Sequence, residues 1–158
     1  LLLCCALLPV QAQKKNTQNL RVVYWNIQNG MWDGQRDNYD RFVNWVNSQA
    51  PDICIWCEGA SYLLTDTGEL SPKDQRYLPE GWPELARRYG HEHVYVGGMR
   101  DPFPQVVTSK YPIESLDRFV GSAPDSIVVH GAGWAKVAVH GKDINIVTLH
   151  LQPYKYWR

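Results

Sequence analysis

The chain has 158 residues, with 16 Lys and Arg set against 16 Asp and Glu, and 12% aromatic residues that include 7 Trp and 9 Tyr. A net charge of zero supplies no broad field for holding nucleic acid, which weakens that class of partner without excluding a local site for it. The aromatic and apolar content excludes a disordered chain and suits a single packed domain of ordinary size.

The chain opens on Leu1-Leu2-Leu3-Cys4-Cys5-Ala6-Leu7-Leu8. This apolar run is well short of the roughly 20 residues that a membrane-spanning helix needs. It reads as the core of a signal peptide covering 1–12, with Val10-Gln11-Ala12 before the cleavage point and Gln13 as the new N-terminus. The run has no initiator Met and no basic region ahead of it, so the signal peptide is expected to be truncated at its start. Lipid attachment at Cys4 or Cys5 is the weaker reading, because Leu3 and Cys4 stand where a small residue is wanted. The expected mature protein is exported, periplasmic or secreted. It starts with a polar lead-in over 13–19 and continues with one domain from 20 to 158.

Within that domain, Leu20–Ile27 is rich in β-branched and aromatic residues and runs into Gln28-Asn29-Gly30, a strand followed by turn chemistry. From Asn38 to Ala50 the apolar residues Tyr39, Phe42, Val43 and Val46 recur at helical spacing, and Pro51 stops the helix. Asp52–Glu58 is a second strand, apolar enough to be covered on both faces, so the domain begins β-α-β. Trp82–Tyr89 predicts a second helix, with Pro83 near its start and Gly90 past its end. Short strands are expected at His93–Val96, Gln105–Ser109, Ser115–Phe119 and Ile127–His130. A hairpin then pairs Gly133–Val139 with Asp143–Leu151 around a turn at His140-Gly141-Lys142. Helices early and strands later suggest an α/β protein of two stacked sheets under outer helices.

Cys54 and Cys57 have C-x-x-C spacing, which invites a zinc or redox reading. Here they lie in a strand, where residues three apart point to opposite faces, so both are read as small core residues. His91-Glu92-His93 places two imidazoles near each other, but a catalytic zinc needs about three protein ligands and no third is indicated. Asp37 and Asp40 sit where carboxylates favour a helix start and need no other role.

Three polar residues end apolar strands. Glu58 follows Ile53-Cys54-Ile55-Trp56-Cys57, and a carboxylate at the end of such a strand calls for a cation, Mg²⁺ being suited to carboxylate and water ligands. Asn26 follows Val23-Tyr24-Trp25, and its amide can assist a metal or a phosphate oxygen. His150 follows Ile146-Val147-Thr148-Leu149 and can meet phosphate or donate a proton near neutral pH. Each alone is equally a solvated strand-end residue.

Their order and surroundings, Trp25-Asn26-Ile27, Ala50-Pro51-Asp52-Ile53 leading to Glu58, Val107-Thr-Ser-Lys-Tyr-Pro-Ile113 and Asn145-Ile-Val-Thr-Leu-His150-Leu, resemble the endonuclease/exonuclease/phosphatase superfamily from about Arg21 to Tyr154. The resemblance implies a DNase-I-like two-sheet sandwich flanked by helices, with the site at one edge of the stack. It implies a phosphoester hydrolase using Mg²⁺ or Mn²⁺, with Glu58 as metal ligand, Asn26 beside the metal as a ligand and catalytic group, and His150 on the phosphate side. Glu58 here follows Trp56-Cys57, where many relatives have Leu-Gln, a departure that leaves the metal role intact. The family's Asp-x-Asn motif and closing Asp-His pair are expected further along, so the 158 residues are read as the N-terminal portion of the domain, inactive alone, with the general base in the missing part. Arg100, in the Gly97–Gln105 loop, is a candidate phosphate ligand through its planar guanidinium. The competing reading is an exported, non-catalytic binding module on the same fold, touching glycan or protein through Trp32, Tyr62 and Trp82.

Overall fold

The computed structural model describes residues 19–31, 37–59, 81–97, 104–119 and 132–150. The signal segment, the expected strand at 127–130, and Trp32, Tyr62 and Arg100 lie outside these residues.

Two sheets carry the fold. The first has the order β1 (Val22–Asn26), β2 (Ile53–Cys57), β4 (Val106–Ser109), β3 (His93–Val96). β1 and β2 run parallel with Asn26 opposite Cys57, which is the expected β-α-β start, and β2–β4 and β4–β3 are antiparallel. The second sheet is an antiparallel meander of β5 (Ile113–Phe119), β6 (Ala132–Val139) and β7 (Lys142–Leu149). Between β1 and β2 lie a single helical turn, α1 (Gln28–Met31), and helix α2 (Asp40–Gln49). Helix α3 (Trp82–Arg88) precedes β3.

β2 explains its own composition. Strand alternation sends Cys54 and Trp56 into one core and Ile53 and Ile55 into another, so both faces are covered and the sequence is a continuous apolar run. The first core lies under the helices. Phe42, Val43 and Val46 of α2 and Trp82, Leu85 and Ala86 of α3 meet Trp56, whose ring stacks on Trp82 with centroids 5.9 Å apart. Each large side chain buried there contributes about 1.5–3 kcal/mol. The second core lies between the sheets, where Ile53, Tyr95 and Val107 meet Ala135, Val137, Val139 and Ile146. The expected two-sheet stack under helices is therefore present.

Several details differ from the expectations. Gln28–Met31 closes a helical turn where only a turn was read, with Gln28, Gly30 and Met31 at positive φ. β5 begins at Ile113, two residues earlier than expected, because Ile113 and Glu114 already pair with Val137 and Lys136 of β6, and its register shifts between Ser115 and Asp117. The hairpin turn is His140-Gly141 alone, both at positive φ as a tight two-residue turn requires, and Lys142 already belongs to β7. Trp82 is fully buried in α3, so it is no exposed contact aromatic. Cys54 and Cys57 are buried without a disulfide, and burial pushes the Cys54 thiol up to about 12, which makes it an inert core residue. Among the described residues, no helix is long and apolar enough to cross a membrane.

Candidate functional site

The parallel pairing of β1 and β2 brings their C-terminal ends to one edge of the first sheet, with Asn26 closing β1 and Glu58 following β2. His150 follows β7 of the second sheet. Stacking of the sheets brings the three together. Asn26 Nδ2 donates to Glu58 Oε1 at 2.9 Å, and His150 Nε2 lies 3.7 Å from the same oxygen. The Gln28 amide donates to Asn26 Oδ1 at 2.9 Å, a local turn that fixes which way the Asn26 amide faces. Asn26 thus uses its carbonyl oxygen to hold its own loop and its NH₂ to aim Glu58.

The Glu58 backbone is held in an unfavourable state. Its φ is 54°, a left-handed conformation that disfavours an ordinary side chain by about 1–2 kcal/mol. The surrounding hydrogen bonds over-determine it. Gly30 N donates to the Glu58 carbonyl at 2.7 Å, Ile27 N to the Cys57 carbonyl at 3.0 Å, and Gly59 N to the Pro104 carbonyl at 2.8 Å. Trp82 Nε1 reaches the Gly59 carbonyl at 2.5 Å, tying the helix-side core to the same turn. A Cβ on Gly59 would stand 2.6 Å from Val106 Cγ2, so the position admits glycine. Sequence reading singled out Glu58 but neither this turn nor Gly59. The glycine directly after the carboxylate was the available signal.

The donor set is one carboxylate flanked by an amide and an imidazole, with Glu58 and His150 side chains both partly buried. Among the described residues, no group of three or more His, Cys, Asp or Glu side chains converges as a closed metal cage. Such a set fits a hard ion that keeps several waters and takes only one or two carboxylates, and does not fit zinc with three protein ligands. Arg100 lies outside the described residues.

Among the described residues, His91 and His93 belong to no group of three or more metal-binding side chains. His91 is buried, with Nδ1 2.9 Å from Thr108 Oγ1 and Nε2 3.1 Å from the Pro51 carbonyl. Burial holds its pKa below the usual histidine value, and the bond to Pro51 opposes that shift. Tyr89 shares Thr108 Oγ1 at 3.1 Å, so a small polar network fastens the chain after α3 to β4 and to the start of β2. Asp37 pairs with Arg41 and Asp40 with Arg88 at the start of α2.

No protein-family model matches the sequence, and no curated protein does. The structure is similar to an endonuclease/exonuclease/phosphatase from Beutenbergia cavernae DSM 12333, with a TM-score of 0.56 and 22% identity, over 84% of this chain and 38% of that one. It is similar to an endonuclease/exonuclease/phosphatase family protein from Leptotrichia buccalis C-1013-b, with a TM-score of 0.52 and 13% identity, over 85% and 55%. It is also similar to D. rerio TDP2 complexed with single strand DNA product, with a TM-score of 0.53 and 13% identity, over 87% and 48%. The chain spans 38–55% of the length of these three structures. The fold of the described residues is thus the one seen in endonuclease/exonuclease/phosphatase structures, as the sequence resemblance implied.

Proposed function

We propose that this chain is part of an exported phosphoester hydrolase that works with Mg²⁺ or Mn²⁺. One observation carries the reading: Asn26, Glu58 and His150, from two different sheets, meet at one edge of a sandwich with the endonuclease/exonuclease/phosphatase fold. Glu58 is the proposed metal ligand, and Asn26 holds its carboxylate in place. A divalent ion there would neutralise the phosphoryl oxygens and favour attack by a bound water. His150, next to the carboxylate, would bind the phosphate or deliver a proton to the leaving oxygen. Arg100 is the proposed further phosphate ligand, and the general base is proposed to come from outside this trio. Export rests on the reading of residues 1–12 as a signal peptide.

The substrate is proposed only as a phosphoester. The DNA product in the TDP2 structure makes nucleic acid one candidate, while the zero net charge of this chain argues for a substrate that needs no broad basic surface. The competing binding module loses one of its contact aromatics, because Trp82 is core.

The experiment is hydrolysis of bis-p-nitrophenyl phosphate and p-nitrophenyl phosphate by the reading frame that contains this chain, with and without Mg²⁺, beside Glu58→Ala. Turnover that needs the metal and falls at least about a hundredfold in the variant is the expected result. Turnover indifferent to Glu58, or none on either ester, would favour the binding module.

A further inference from the structure

The three site residues are divided between the sheets, so their geometry depends on how the sheets are registered against each other. One link in that registration is an aromatic side chain. Tyr95 on β3 is 2% exposed, and its hydroxyl crosses to the second sheet to donate to the Asp117 carbonyl at 2.8 Å. Asp117 stands where the β5–β6 register shifts. Asp117 itself is in register with Trp134 of β6, directly after that shift. The neighbouring position on β6 is Gly133, where a Cβ would stand 2.3 Å from Tyr95 Oη and 2.9 Å from Thr148 Oγ1. Thr148 is buried on β7, with its Oγ1 3.4 Å from the Gly133 carbonyl. His150 follows Thr148 by two residues.

We propose that Tyr95 is a positioning residue for His150. Its hydroxyl, seated in the space left by Gly133, whose partner on β7 is Thr148, sets the end of β7 so that the imidazole stands beside the Glu58–Asn26 pair. The assignment rests on the proposed hydrolase for its catalytic meaning, while its structural content is independent of that reading.

Tyr95→Phe keeps the ring in the inter-sheet core and removes the hydroxyl. Two readouts follow, with Val137→Ala as a control that loosens the same core without touching the clamp. The first is the imidazole ¹H–¹³C resonance of His150, assigned by its loss in His150→Gln. It moves in Tyr95→Phe and stays in place in Val137→Ala. The second is the split of kcat from KM on the nitrophenyl ester: kcat falls about tenfold and KM changes by less than about twofold, as expected when a catalytic group is displaced but substrate binding is not. A His150 resonance unchanged in Tyr95→Phe overturns the assignment, as does an unchanged kcat in an active enzyme. If the wild-type protein turns over no ester, the hydrolase reading fails and the resonance alone decides the positioning role. Should Tyr95→Phe fail to fold, Thr148→Val is read in the same way, because it removes the hydroxyl that joins the end of β7 to the Gly133 carbonyl, two residues before His150.

Discussion

Glu58 pays with backbone strain for the place its carboxylate takes, since its φ of 54° is one that asparagine adopts more readily than glutamate. Glu58→Asn should therefore melt at the same temperature as the wild type or a few degrees higher, while ester hydrolysis falls at least about a hundredfold. Thermal melting and the ester assay on one preparation read both quantities, and a variant that lost stability along with activity would contradict the strain argument. His91 gives a second residue-level expectation. In the unfolded chain a histidine protonates near pH 6.5, whereas buried His91 resists protonation to lower pH. The unfolded state takes up the proton first, so the stability His91 contributes is present above about pH 6.5 and is lost as pH falls through its folded value. Melting temperature should drop between pH 7.5 and pH 5, and drop less in His91→Gln. An equal drop in both proteins would place the acid sensitivity elsewhere. Asn26, Glu58 and His150 could be picked out of the sequence because each ends a strand whose apolar run is visible. The positive φ at Glu58 had only Gly59 as its signal, and the Trp82 bond behind it had none, because it depends on how α3 packs on the turn.

Among the elements, the hairpin β6–β7 separates two uses of glycine. Gly141 has φ 77° and open space where a Cβ would go, so Gly141→Ala should lower stability by about 1 kcal/mol through backbone strain alone. Gly133 lies under the Tyr95 hydroxyl, and Gly133→Ala should lower stability by about 1–3 kcal/mol through overpacking. Denaturant titration of the two variants gives the order, and a larger loss at Gly141 would contradict it. Helix α2 and strand β2 were legible because a helical stripe and an unbroken apolar run survive any tertiary context. The β5 irregularity was not, because a register shift answers to the pairing partner rather than to local sequence. Pro83 and Gly90 mark the Trp82 helix in the sequence, but whether Trp82 is core or a contact aromatic of the competing binding module is decided only by its packing against Trp56.

At the level of the whole molecule, the two cores account for the stacked sheets, and apolar side chains remain exposed at their margins. Tyr24 on β1 is 65% exposed and Val147 on β7 is 70% exposed, the latter beside the cross-strand Trp134. Exposed apolar residues on strands favour association between copies. Val147→Lys should reduce concentration-dependent light scattering of this chain without lowering its melting temperature, and unchanged scattering would show that the β7 face takes no part. The stack was legible from the order of helices and strands, and the resemblance placed the site at its edge. How closely the sheets are registered, on which the site depends, could be seen only in the folded chain. Glu58, set by Asn26 and faced by His150, is the proposed ligand of a divalent metal ion. That role is tested most directly by titrating the protein with Mn²⁺ and counting free ion by electron paramagnetic resonance, for wild type and Glu58→Gln. Mn²⁺ binding should weaken about tenfold or more when the carboxylate becomes an amide. Equal affinity in the two proteins would contradict it.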